Sequence, residues 1–255
     1  MNNPLNFPLA VFVISFVVLW ASALIGISLR SRLGELDDVT RQDFSVVRGA
    51  TLTLLGLIVG FSFSLAVTRY DQRRNYEEEE ANAIGTEYLR ADLLPLDYAT
   101  KAKNLLLSYL DQRILFYQSR DASQLQQINS ITARLQDELW SAVQVPATAQ
   151  PTPVIALPVA GMNDVLNSQG YTQAAWWNRI PIAAWVLMGA IAIWSNLLLG
   201  YAARSAETHR LLPFALPFIV SLSFFLIADI DSPRGGAIRV RPENLISLSQ
   251  SLHPR

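Results

Sequence analysis

GFSFSLAVTRYDQRRNYEEEEANAIG, residues 60–85, starts inside an apolar run and ends in dense charge, with no proline and no cluster of turn residues between. It reads as one helix that leaves hydrocarbon and carries on into water. Upstream, no charged side chain occurs over residues 49–68, and three further windows are equally free of charge: 1–29, 180–203 and 211–228. About 20 apolar residues cross a hydrocarbon layer of about 30 Å, so each window holds one spanning helix. Four spans place both termini on the same side. Ala21-Ser22-Ala23 has the small-x-small form of a signal-peptide cleavage site. No Lys or Arg precedes the first window and its apolar run is too long for a signal peptide, so it is read as a retained span.

The composition agrees with lipid as part of the solvent. The chain is 51% apolar and only 16% charged, against about 25% charged in an average soluble domain. A net charge of −1 gives no electrostatic reason to expect a nucleic-acid partner. The absence of cysteine excludes disulfides, thiolate catalysis and thiolate metal sites. His209 and His253 have neither metal-ligand spacing nor a nucleophile beside them, and Arg90 and Asp92 read as structural ion-pair partners. The chain is therefore not expected to be an enzyme or to carry a cofactor.

The spacing predicts an all-α protein: spans 1 and 2 in residues 1–69, a helical extramembrane region over 70–145, a linker and short helix over 146–178, spans 3 and 4 over 179–230, and a tail over 231–255. Leu106, Leu110, Ile114 and Tyr117 share one helical face, as do Leu125, Ile128, Ile131, Leu135 and Leu139. Asp121 and Gln124 have the offset of a capping box. The four prolines of QVPATAQPTPVIALP, residues 144–158, argue for a linker there. Trp176, Trp177 and Trp185 suit a headgroup boundary.

Two stripes run along the second span. Gly56, Gly60, Ser64 and Thr68 form a small-xxx-small seam that admits a close helix neighbour. Thr53, Leu57, Phe61 and Leu65 form a larger, mostly apolar column. That column is either a lipid-facing surface or, when several copies meet, a hydrophobic constriction. Beyond it, Arg69, Arg73, Arg74, Glu77 and Glu78 are expected to line an aqueous mouth, with Arg73–Glu77 and Arg74–Glu78 pairs four residues apart. The run Glu77 to Glu80 covers all faces of a helix, as a solvated rod would; as rings round a pore it would favour cations. Asp229 and Asp231 are a weak metal candidate and suit capping at the membrane interface better. Pro213 and Pro217 can kink the fourth span, a feature also found in carriers.

GFSFSLAVTR, residues 60–69, resembles the second transmembrane segment of bestrophins, and IADIDSPRGGAIRV, residues 227–240, is similar to the stretch after their last span. EEANAIGTEYLRADLLP and DSPRGGAIRVRPENL resemble still more closely the bacterial bestrophin-like family of membrane proteins. The resemblance implies a pentameric anion channel of the bacterial inner membrane, with its axial pore lined by the second helix and its termini and residues 70–178 in the cytoplasm. It puts the constriction on Thr53, Leu57 and Phe61, with a hydroxyl at Thr53 where bestrophins carry an aliphatic side chain. It also implies a helix before the first span, for which this sequence has no segment. Arginine counts near the spans, six on one side against seven on the other, leave orientation open, although the first span alone would put the N-terminus outside. The expected partners are membrane lipid, further copies of the chain and inorganic ions. The alternative from another class is a non-conducting membrane scaffold or sensor whose helical region binds a partner.

Overall fold

The structure is a computed structural model that describes residues 6–33, 37–203 and 206–252, with the side chains of residues 33, 38 and 206–212 left undescribed. The His209 side chain is among those left undescribed, and His253 lies outside the described residues. Among the described residues there is no strand. Helices α1 (Pro8–Leu33), α2 (Asp38–Arg90), α3 (Leu96–Gln118), α4 (Ala122–Ala149), α5 (Pro153–Trp177), α6 (Ile182–Ala202), α7 (Ala206–Asp231) and α8 (Glu243–Leu252) follow in order, with a 3₁₀ turn at Ala91–Leu93. Four of the helical stretches are long and apolar enough to cross a membrane. The chain divides into two compact units, Met1–Arg69 with Arg179–Arg239 and Tyr70–Asn178 with Val240–Arg255.

In the first unit, α1 and α6 meet backbone to backbone. A Cβ on Gly26 would stand 2.2 Å from the Leu197 carbonyl oxygen, and one on Gly200 would stand 2.0 Å from that of Ala23. Ser22 adds a hydrogen bond to the Ile193 carbonyl at 2.7 Å. Small residues and interhelical hydrogen bonds replace the hydrophobic effect as the source of contact where the surroundings are already apolar. On its other side α1 sets Phe12 and Phe16 edge-on against Phe218 of α7, with centroids 5.9 and 6.5 Å apart. Arg30, at the end of α1, donates to the Ala202 and Ala203 carbonyls, which the end of α6 leaves without helical partners.

The second unit has a conventional core. Leu106, Leu110 and Tyr117 of α3 and Ile128, Leu135 and Leu139 of α4 are buried on the faces that the sequence periodicity predicts, while Ile114, Leu125 and Ile131 are partly buried beside them. Asp121 caps α4 by accepting from the Gln124 amide at 2.9 Å. The return bond of a capping box is absent from this arrangement; the Gln124 side chain accepts from Ser119 instead.

Three features depart from the sequence reading. Residues 144–158 are mostly helical: α4 runs through Pro146 to Ala149, and α5 starts at Pro153 with Thr152 accepting from the Ile155 amide. Proline at the first position of a helix lacks only a donor that would have no helical partner anyway, so the linker shrinks to residues 150–152. Trp176, placed by the sequence at a headgroup boundary, is a core residue 5.0 Å from Phe116 and 5.4 Å from Tyr117. Finally, the C-terminal tail carries α8, which packs Leu245 into the second unit.

Candidate functional site

Helix α2 is 53 residues long, about 80 Å at 1.5 Å per residue. Within the first unit it turns Leu55, Ser62 and Ala66 inward. At 100° per residue, Thr53, Leu57, Gly60, Ser64 and Thr68 lie within about 40° of the opposite direction, and Phe61 about 60° from it. These residues are exposed, with Leu57 at 52% and Phe61 at 62%. A Cβ on Gly56 or Gly60 would meet nothing within 4 Å. All but Gly56 of the seam and all but Leu65 of the column therefore share one open face, and among the described residues nothing packs against Gly56 or Gly60. The two threonine hydroxyls on this face are satisfied by their own helix: Thr53 donates to the Gly49 carbonyl at 3.0 Å and Thr68 to that of Ser64 at 2.9 Å.

Arg69 is the last residue of this segment, and its guanidinium stands 3.9 Å from Asp231. The weak metal candidates Asp229 and Asp231 are nearly inaccessible and committed to protein donors. Asp229 accepts from the Ala237 and Ile238 amides, both at 2.8 Å, which folds the chain back over the end of α7. Asp231 accepts from the Ile180 amide at 3.1 Å and from Arg179 at 3.3 Å. Such carboxylates organise backbone; their lone pairs are used within the fold.

In the second unit the buried stripe of α2 continues as Arg73, Glu77, Glu80, Ile84 and Glu87, each within 2% of complete burial. This corrects the expected vestibule. Arg73 and Glu77 are buried, and of the acidic run only Glu78 and Glu79 are exposed, as is Arg74. Each inward acid has a different partner. Glu77 caps α8, accepting from the Asn244 amide at 3.0 Å, the Leu245 amide at 3.0 Å and the Asn244 side chain at 2.7 Å. Burial raises the Glu77 pKa against the lowering effect of those bonds.

Glu80 forms an ion pair with Arg113 and accepts from Tyr117 and Thr172, both at 3.2 Å, so α2, α3 and α5 share one carboxylate. Burial, reinforced by the Glu80 charge, pushes the Tyr117 hydroxyl well above the usual phenol range and keeps it a donor. Asp92 pairs with Lys103 at 2.6 Å. Nothing in the sequence pairs Glu77 or Glu80 with these groups, since their partners are 33 or more residues away; the only signal is the spacing of 3 or 4 residues along the stripe, which a helical wheel shows as a polar inward face. Among the described residues no group of three or more acids, histidines or cysteines could hold a metal ion.

Four apolar helical stretches and a helical unit with a buried charge network define an all-α membrane protein. The chain belongs to the bestrophin-like family, whose model, the Bestrophin-like domain, matches residues 9–245. Its fold is similar to that of crystal structures of a bacterial bestrophin homolog from Klebsiella pneumoniae. One, carrying a single substitution, has a TM-score of 0.67 at 16% identity and covers 96% of each chain. Another, solved by zinc phasing, has a TM-score of 0.65 at 17% identity over 96% of this chain and 98% of that one. No curated protein sequence matches the chain.

Proposed function

We propose that the chain is one subunit of a homo-oligomeric ion channel of the bacterial inner membrane, passing anions along an axis lined by α2. Thr53, Leu57 and Phe61 form its constriction, and Arg69, Arg74 and Glu78 border the aqueous mouth. Family membership supports a pentamer with both termini and residues 70–178 in the cytoplasm.

One observation carries the reading: the open face of α2 alternates small and hydroxyl-bearing residues with Leu57 and Phe61 and is left exposed among the described residues. The exposed face of α1, by contrast, presents Val13, Ile14 and Val17, a surface suited to acyl chains. A glycine-rich face left to lipid forgoes the close helix packing that small residues permit. The buried acids also weaken the argument for cation selectivity. Glu77 and Glu80 are consumed by α8 and Arg113, so two of the four carboxylates in the acidic run present no charge to an aqueous path.

Purified protein in lipid vesicles is expected to release chloride on an imposed gradient and to retain sodium. Phe61→Ala should widen the narrowest apolar ring and raise chloride flux severalfold. Vesicles that pass neither ion, with Phe61→Ala indistinguishable from the parent, would remove the channel and leave the scaffold or sensor reading. Sodium passage without chloride would overturn the anion assignment alone.

A further inference from the structure

Glu87, on α2 within the second unit, is a carboxylate that the channel reading does not use. It is completely buried, and neither of its oxygens has a hydrogen-bond partner among the described residues. It is held against α5 at Gly161, where an added Cβ would stand 2.0 Å from Glu87 Oε2 and 2.7 Å from Arg90 Nη1. The charged groups facing it are Arg90 on its own helix and Asp164 across on α5. Beside them lies a cavity of about 250 Å³ lined by Asn82, Thr86, Arg90, Gly161 and Asp164.

We propose that Glu87 is a proton-operated latch of the helical unit, holding α2 against α5 at Gly161 while its carboxyl is neutral and releasing that contact when it ionises. A neutral carboxyl tolerates this buried position; a carboxylate with no donor among the described residues does not. Once charged, the group is driven toward the neighbouring cavity, where water and Arg90 can solvate it, and α5 must yield at Gly161. Burial, opposed by Arg90 and reinforced by Asp164, pushes Glu87 from its ordinary 4.5 to about 8.

The sign follows from linkage. Between pH 4.5 and about 8 the closed unit keeps a proton that the opened chain has released. Stability is therefore greatest below the lower value and falls as pH rises through the upper one. One proton per subunit corresponds to about tenfold in the opening equilibrium per pH unit across that window.

The test is amide hydrogen exchange of the full-length protein in detergent micelles from pH 5 to 9, corrected for intrinsic exchange, on peptides covering residues 159–165. Protection in the parent is expected to fall by about tenfold per pH unit up to a single break near pH 8. Glu87→Gln should stay protected throughout, and Asp164→Asn should move the break to lower pH by removing a repelling charge. A flat profile in the parent, an unchanged profile in Glu87→Gln, or an unmoved break in Asp164→Asn would each overturn the latch. So would failure of Glu87→Gln to fold, since the amide mimics the neutral carboxyl. Chloride flux plays no part in this readout, so loss of the channel reading would leave the result standing.

Discussion

Glu80→Ala is expected to unfold most of the helical unit. The carboxylate is the common acceptor of Arg113, Tyr117 and Thr172, and the side chains of Glu80 and Arg113 are both at 0% exposure. Its removal strands a guanidinium in an apolar core. Breaking one side of a buried pair costs about 3–5 kcal/mol, because the remaining charge cannot recover its hydration. The orphaned hydroxyls of Tyr117 and Thr172 add to that cost. A domain of this size has about 5–15 kcal/mol in total, so the variant should lose most of its cooperative melt and become protease-sensitive throughout residues 70–178. Trp176, which packs on Tyr117, supplies the fluorescence signal. Replacing both partners, Glu80→Met with Arg113→Met, should recover part of the loss, because a matched apolar pair leaves no unpaired charge. A Glu80→Ala protein that melts like the parent would show that the network is not what holds α2, α3 and α5 together.

The second large effect belongs to the membrane unit. Gly200→Val puts a branched side chain where a Cβ alone would lie 2.0 Å from the Ala23 carbonyl oxygen. The obstacle is backbone, so no rotamer change relieves it, and α1 must move off α6 and give up the Ser22 hydrogen bond to Ile193. Overpacking costs about 1–3 kcal/mol where side chains can adjust and more where they cannot. The expected result is loss of folded protein on detergent extraction, followed by size-exclusion chromatography. Gly56→Ala is the matched control: a Cβ there meets nothing within 4 Å among the described residues, so the subunit should fold normally. A stable Gly200→Val protein would contradict the α1–α6 contact.

The membrane architecture was legible because charge is so costly in hydrocarbon that its absence marks each span, and the apolar faces of α3 and α4 followed from helical period alone. What could not be read were choices made by distant partners. Glu77 and Glu80 look solvated on a helical wheel, and only the amides of α8 and the guanidinium of Arg113 turn them inward. Spacing singled out Gly56 and Gly60 as a packing seam, whereas the chain's own close helix contact uses Gly26 and Gly200, which belong to no shared periodic pattern. Trp176 was placed by an average preference of indoles for interfaces, and the aromatic pocket of Phe116 and Tyr117 overrode it. For Thr53, Leu57 and Phe61 the sequence defines a face of the helix; what that face meets depends on other copies of the chain.

Cysteine cross-linking tests that point most directly, since the chain contains no cysteine and any introduced thiol reports without background. Leu57→Cys and Phe61→Cys, each made alone and treated in native membranes with a short bis-maleimide, should give covalent dimers of the subunit, because one thiol per chain links two copies. Val13→Cys, on the apolar exposed face of α1, should remain monomeric under the same treatment. If Leu57→Cys and Phe61→Cys stay as unlinked as Val13→Cys in protein that is otherwise folded, the α2 column faces lipid and does not line a shared axis.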